Sequence, residues 1–512
     1  MTNANLYACM AERFPEEPSQ RPFVVLPDGR RYSYADVDKV SARFAKVLTT
    51  LGVRPGDRVA VQVEKSVNAF LLYLGTLRAG AVFLPLNTAY TGAELAYFLG
   101  DAEPRVFVCD PARADALDPV AEKAGALLET MGGYRAGALP QGTLVGRMQT
   151  ASTRFETVMR APDDLAAILY TSGTTGRSKG AMLTHDNLWS NAVTLCDYWK
   201  FTSDDVLLHA LPIYHTHGLF TSSNTVMAAG ASMIFLPKFD AAEVISRLPE
   251  ATSMMGVPTF YTRLLDQPEF TKELVAHIRL FTSGSAPLLA ETHVRFEERT
   301  GHRILERYGM TETNMSTSNP YDGERRAGTV GFPLPGVELR IANPDDGTPV
   351  ATGETGMIEV KGPNVFKGYW QNPEKTAEEF RPDGFFITGD LGMIDERGYV
   401  TIVGRAKDLI ISGGFNVYPK EVEEAIDDLD GVEESAVIGV PHPDFGEGVV
   451  AVVVAENGAE VTEAAVVASL KDKLAKFKQP KHVFVVDALP RNSMGKVQKK
   501  ELRDRYADLF KG

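Results

Sequence analysis

An apolar run, Leu165-Ala-Ala-Ile-Leu-Tyr-Thr171, breaks directly into Ser172-Gly173-Thr174-Thr175-Gly176-Arg177-Ser178-Lys179-Gly180. A short apolar run stopped by a glycine-rich segment reads as a buried strand. Glycines in the loop let backbone N–H groups converge on an anion. Hydroxyls add donors and Lys179 adds a positive charge, so the segment suits a polyphosphate. A Walker A loop needs glycine immediately before its lysine and Ser or Thr immediately after. Ser178 and Gly180 hold those places, which excludes a P-loop NTPase. An ordinary Gly/Ser/Thr surface loop is the plainer alternative. The strand before it, the dense hydroxyls and the lysine weigh against that.

Around this strand, helix and strand patterns alternate. Ser33 to Leu51 predicts a helix: Ser33 caps it, Asp36 sits in its first turn, and Val37, Val40, Phe44, Val47, Leu48 and Leu51 recur at helical spacing before Gly52. Val59–Val63 and Ala81–Leu86 read as strands. This is an α/β chain with mainly parallel sheets covered by helices. The stretch 111–162 has weak periodicity and carries no recognisable chemistry. Turn residues fill 343–356, as expected between paired strands. Beyond Gly404 the pattern changes. A helix at 419–429, strands at 436–440, 449–455 and 483–486 and a helix near 466–474 predict a smaller α+β domain. The expected division is a large N-terminal domain of layered sheets and helices, residues 1–405, and a mobile C-terminal domain, residues 406–512.

The 512 residues carry a formal charge of -14. That disfavours nucleic acid and anionic membranes as partners, since both need a basic face. It leaves small anions as substrates. Cys9, Cys109 and Cys196 are the only cysteines and show no CxxC spacing, so no disulfide framework or zinc ribbon is indicated. The N-terminus lacks the basic start and apolar run of a secretory signal, and no apolar stretch is long enough to span a bilayer. A reducing cytoplasm is the simplest compartment.

The phosphate-loop segment YTSGTTGRSKG (170–180) resembles that of the adenylate-forming superfamily, which includes acyl-CoA synthetases, luciferases and peptide-synthetase adenylation domains. SGSAP (283–287), YGMTE (308–312), TGD (388–390), GRAKD (404–408), SGGFNVYP (412–419) and PRNSMGK (490–496) follow in the superfamily's order, so the resemblance spans nearly the whole chain. It implies an acid–thiol ligase using ATP, Mg2+ and coenzyme A. The implied nucleotide-binding set is Thr171, Ser172, Gly173, Thr174, Thr175, Gly176, Lys179, Ser285, Ala286, Pro287, Glu306, Tyr308, Gly309, Met310, Asp390 and Arg405. Lys496, Thr311 and Glu312 are the implied catalytic residues, with Glu312 at the metal. From chemistry alone, Glu312 suits magnesium, which often binds one carboxylate plus phosphates; a surface or capping glutamate is the alternative. Asp390 suits ribose hydroxyls, and a turn aspartate is its alternative. The ammonium of Lys496 suits bridging a carboxylate and an α-phosphate; a solvated helix start is the competing reading. The resemblance also implies Lys407 as a hinge and Ser412, Gly413, Gly414, Phe415 and Lys478 as coenzyme A contacts.

The acid is argued separately. A short dicarboxylate needs a cation for its second carboxylate, because an unpaired buried charge is costly. Arg263 ends an apolar run and can form a forked pair with a carboxylate, or pair with Asp266 on its own helix. Segments such as LNTAYTGAEL, LPIYHTHGLF, GVPTFYTRLL and ERYGMTETNMSTSNPYDGE are very similar to bacterial malonyl-CoA synthetases. This implies malonate, with methylmalonate as a further substrate, and His215, Arg263 and Ser285 around the distal carboxylate, with Arg279 in reserve. His215 and His217 form an H-x-H pair, but a zinc site needs at least three protein ligands and no third is evident. A synthetase for another short-chain or aryl acid stays open, as does a nucleotide-binding protein without catalysis.

Overall fold

The structure, a computed structural model, describes residues 3–138, 140–171, 178–413, 415–471, 473–492 and 495–510. Its contacts divide the chain into two compact units, 1–339 with 360–386, and 340–359 with 387–512.

The first unit holds two large sheets. One has nine strands and includes four consecutive parallel neighbours: Leu305–Met310, Leu280–Ser283, Ser253–Gly256 and Val206–His209. The other has seven strands and contains Leu165–Thr171 paired antiparallel with Lys179–Thr184. The first helix forms as the sequence predicts, Tyr34–Thr50, with Ser33 and Asp36 closing a reciprocal capping box and Gly52 at φ 84° ending it. It packs on the helix Val67–Arg78, all of whose residues are buried. That burial explains an apolar run with no polar face. Arg78 is tolerated inside because Asp38 accepts from it at 2.8 Å. The stretch 111–162, weakly patterned in sequence, still supplies two helices, Ala114–Lys123 and Thr143–Thr150, and the edge strand Leu127–Thr130. An edge strand needs one buried neighbour rather than two, so its sequence signal is weak.

The second unit contains a four-stranded sheet in the order Glu338–Ala342, Gly356–Lys361, Phe386–Ile394, Val400–Arg405, and a five-stranded sheet built on the long pair Val432–His442 and Gly446–Ala455. The helices Pro419–Asp427 and Glu463–Leu470 cover the latter through Val422, Ile426, Val466 and Leu470. The expected boundary at 405/406 therefore falls inside this unit. Residues 340–359 and 387–405 group by contact with the C-terminal segment, whereas 360–386 groups with the first unit. All three cysteines are free, and among the described residues no helix is long and apolar enough to cross a membrane.

Candidate functional site

In the first unit the four parallel strands collect the chemistry at their carboxyl ends. His209 leads into 210–216 and the π-helix His217–Asn224, Gly256 into the helix Pro258–Leu265, and Ser283 into the SGSAP segment. Ser253 pairs with Leu207 and Leu280, and Ser283 pairs with Glu306, so these exits share one sheet edge. Crevices beyond the carboxyl ends of parallel strands are where α/β sheets bind ligands.

At this edge Ser285 and His217 meet, Nδ1 to Oγ at 3.1 Å. Ser285 holds φ 70°, a left-handed backbone that is costly for a residue with a Cβ. Burial, and then the nearby Arg307 charge, hold the His217 imidazole well below its usual pKa, so it is neutral. Sequence reasoning favoured His215; that ring is half-buried and lies against Tyr214 at 4.6 Å. Arg263 is exposed on its helix. Arg279, the reserve cation, is already committed: it forks onto Asp205 at 2.6 and 2.8 Å and donates to the Trp199 carbonyl. The Glu306 carboxylate takes a structural contact, with His293 Nδ1 at 3.1 Å and the Gly328 amide at 3.3 Å.

Thr311 and Glu312 form the turn between Leu305–Met310 and its antiparallel partner Asn314–Ser318. Gly309 is required there, because a Cβ would lie 1.7 Å from the Asn314 carbonyl oxygen. Gly309→Ala is expected to cost about 1–3 kcal/mol, typical of an overpacked site, read as a lower midpoint in urea unfolding.

Glu312 is buried, and its Oε1 lies 3.1 Å from the Tyr369 hydroxyl. The same hydroxyl lies 2.6 Å from Glu379 Oε2, and Glu379 Oε1 lies 3.1 Å from Lys179 Nζ. Lys179 also stands 4.4 Å from the Tyr369 ring centroid. One phenol proton cannot serve two carboxylates, and the shorter distance places it on the Glu379 side. Burial and the two carboxylates push the phenol's pKa far up. Burial raises the Glu379 pKa, but hydrogen bonds from Tyr369 and Lys179 outweigh it and keep the carboxylate ionised. Lys179 and Glu312 are thus joined through Tyr369 and Glu379, two residues the sequence reading missed. Their segment shows only aromatic and charged residues at no diagnostic spacing. Among the described residues no group of three or more His, Cys, Asp or Glu side chains could hold a metal ion. A single buried carboxylate still fits magnesium that draws its other oxygens from phosphates and water.

The remaining first-unit candidates are Thr171, Ala286, Pro287, Tyr308 and Met310. Thr171 is the cross-strand partner of Lys179. Tyr308 and Met310 are partly buried on the 305–310 strand, and Ala286 and Pro287 follow Ser285 directly. Ser172, Gly173, Thr174, Thr175, Gly176 and Gly414 lie outside the described residues.

In the second unit Asp390 and Arg405 are cross-strand partners, with Nε 2.7 Å from Oδ1. Lys407 sits in the 3-10 turn Ala406–Asp408, and the neighbouring Asp408 accepts from Arg503 at 2.7 Å. Ser412 pairs with Phe415 in a hairpin where Gly413 takes φ 61°. Phe415 is exposed and stacks on Phe477 at 4.6 Å. Lys478 pairs with Glu421 at 2.5 Å. Lys496 is exposed at the end of a turn whose backbone is held by Asn492 in both directions, at 2.9 and 3.0 Å.

The sequence pattern of the family described as AMP-binding enzyme matches residues 11–370, and that of the AMP-binding enzyme C-terminal domain matches 421–496. The chain belongs to the AMP-binding enzyme family. This AMP-binding enzyme is 36% identical to a malonate–CoA ligase of Arabidopsis thaliana, over 93% of this chain and 85% of that one. It is similar to ATP-bound MatB from Rhodopseudomonas palustris, at 59% identity and a TM-score of 0.96, over 99% of this chain and 100% of that one. A benzoate CoA ligase from Burkholderia xenovorans shares 28% identity, with a TM-score of 0.87 over 98% of this chain and 100% of that one.

Proposed function

We infer that this AMP-binding enzyme is a malonate–CoA ligase that also takes methylmalonate and works in the cytoplasm. One malonate carboxylate attacks the α-phosphorus of ATP and expels pyrophosphate. The coenzyme A thiol then attacks the acyl carbon of malonyl-AMP and releases AMP, giving malonyl-CoA. The observation that carries this reading is whole-length likeness to a malonate–CoA ligase and to ATP-bound MatB.

The 172–176 segment with Thr171 and Lys179 cradles the phosphates. Tyr308 faces adenine, with Glu306, Gly309, Met310 and the 285–287 segment beside it, and the Asp390 carboxylate accepts from the ribose hydroxyls beside Arg405. Lys496 draws the acid carboxylate and the α-phosphate together, offsetting the repulsion between two anions. Thr311 and Glu312 hold the phosphate–metal side. Mg2+, when bound, screens the phosphate charge and favours departure of pyrophosphate. His215, Arg263 and Ser285 orient the distal carboxylate. Lys407 is the pivot that exchanges Lys496 for the Ser412–Phe415 hairpin, and that hairpin with Lys478 receives coenzyme A. Such exchange gates many two-step enzymes. The presence of both Lys496 and Glu312 argues against a nucleotide-binding protein without catalysis.

The test is AMP formation with ATP, Mg2+ and coenzyme A, comparing malonate, methylmalonate, succinate, acetate and benzoate. Malonate is expected to lead, and Arg263→Ala to lower kcat/KM for malonate by roughly tenfold, the ratio equivalent to about 1.4 kcal/mol, with acetate unchanged. A monocarboxylate preference indifferent to that substitution would keep the family and reject malonate.

A further inference from the structure

We propose that Glu379 is a counter-anion that holds Lys179 between turnovers and yields it to the polyphosphate of ATP, with Lys375 the second cation that steadies the carboxylate once Lys179 has left. The inference rests on the reading of Lys179 as a phosphate contact and adds two positioning residues to it.

Backbone pairing brings the two side chains together. Lys179 opens the 179–184 strand, and Gly368–Tyr369 runs antiparallel beside it, with Tyr369 opposite Ala181. The Trp370 amide donates to the Gly180 carbonyl at 2.7 Å. The Tyr369 amide donates to the Thr376 hydroxyl at 2.9 Å, which ties the helix Pro373–Glu378 to this strand. Glu379 is the C-terminal cap of that helix, so the position of its carboxylate relative to Lys179 is set by main-chain contacts on both sides.

The way the carboxylate is shared lets Lys179 leave. Lys179 Nζ meets Glu379 Oε1 at 3.1 Å, and Lys375 Nζ meets the same oxygen at 3.1 Å. Oε2 takes the Tyr369 hydroxyl at 2.6 Å. Two ammonium groups on one oxygen repel each other, so the departure of one is partly offset. Glu379 then keeps Lys375 and the phenol, and no carboxylate is left enclosed without a cation. Arg279 is a different case: it forks onto Asp205 through two nitrogens and also holds the Trp199 carbonyl. Such a fork is a fixed pair, whereas an ammonium on a flexible stem is a point charge that can be redirected. The Lys179 and Glu379 side chains are 17% and 21% exposed, enclosed enough for their pairing to have weight and open enough for a ligand to reach the ammonium. A phosphate oxygen and Glu379 therefore compete for Lys179. The competition weakens ATP and pyrophosphate alike, which eases departure of pyrophosphate after adenylation. A residue that only oriented Lys179 would act in the opposite sense, since removing it would weaken ATP binding.

The test measures dissociation constants of ATP and of pyrophosphate by calorimetry, with Mg2+ at fixed ionic strength. The proteins are wild type, Glu379→Gln, Glu379→Asp, Lys375→Met, the double variant Glu379→Gln with Lys375→Met, and Lys179→Ala. Glu379→Gln is expected to bind both ligands roughly fivefold more tightly, the factor that one partly screened ion pair sets. Glu379→Asp keeps the charge and is expected to fall between it and wild type. Lys375→Met is expected to weaken both ligands by roughly twofold or more, because Glu379 then has no other cation and holds Lys179 harder. In the Glu379→Gln background the same Lys375→Met change is expected to have no further effect, since Lys375 acts through the carboxylate. Unchanged or weaker ATP binding in Glu379→Gln overturns the proposal. So does an equal loss from Lys375→Met in both backgrounds, which would make Lys375 a direct phosphate contact. If Glu379→Gln does not fold, Glu379→Ala takes its place with the same expectation. Failure of the underlying reading shows separately, as ATP binding that Lys179→Ala leaves intact; a loss there with no change in Glu379→Gln sinks the counter-anion alone.

Discussion

Lys496→Ala is expected to abolish most acid-dependent pyrophosphate exchange while sparing the second half-reaction. Removing one preorganised group aimed at developing charge typically costs on the order of 10²–10³ in rate. In the proposed role Lys496 meets two anions at once, so the upper part of that range is expected. The side chain is exposed, and the turn beneath it is closed by Asn492 through backbone bonds that alanine retains. Stability should therefore change little, in line with other surface substitutions. Supplied malonyl-adenylate should still yield malonyl-CoA within a few-fold of wild type, because that step needs no contact between carboxylate and α-phosphate. Exchange at the wild-type rate would remove Lys496 from the chemistry. Equal loss in both half-reactions would mark it as a structural residue.

Glu312→Gln tests the other end of adenylation. The amide keeps the shape and an oxygen toward the Tyr369 hydroxyl, 3.1 Å away, but it removes the charge that suits a hard dication. Adenylation is expected to fall on the order of 10²-fold, with half-saturation by Mg2+ moved up, as for other lost electrostatic contacts at developing charge. The Lys179–Glu379 pair should survive, since Glu379 takes the shorter bond from Tyr369. A full titration of activity against Mg2+ separates the two explanations. A lowered maximum at unchanged Mg2+ dependence would show that Glu312 works by positioning the 311–313 turn and not through the metal.

The two outcomes bear on how this protein reads from its sequence. Local features were legible because their causes are local. Ser33 and Asp36 cap a helix three residues apart, and the apolar run 165–171 becomes a strand with its predicted limits. The ordered motifs placed the chain in its family, as the match over 11–370 shows. Asp390 and Arg405 were each named from separate motifs, TGD and GRAKD, and they prove to be cross-strand partners.

What the sequence could not supply were quantities set by neighbours distant along the chain. Arg263 stood out in sequence as a single cation ending an apolar run, with Arg279 in reserve. Folding leaves the first exposed and commits the second to Asp205, because Asp205 ends the loop before 206–209 and Arg279 immediately precedes the 280–283 strand, which lies one strand away across 253–256. Arg307 drew no attention between Glu306 and Tyr308, yet strand alternation turns it inward beneath Gly284 while Glu306 meets His293. Tyr369 and Glu379 join Lys179 to Glu312 only because the Gly368–Tyr369 strand pairs with Lys179–Thr184. The sequence by itself determined the elements, the family and the residue types the reaction needs. Tertiary structure alone decided which charges are buried, which are already neutralised and which remain for a substrate, since burial and pairing depend on what packs alongside and not on what lies next in the chain.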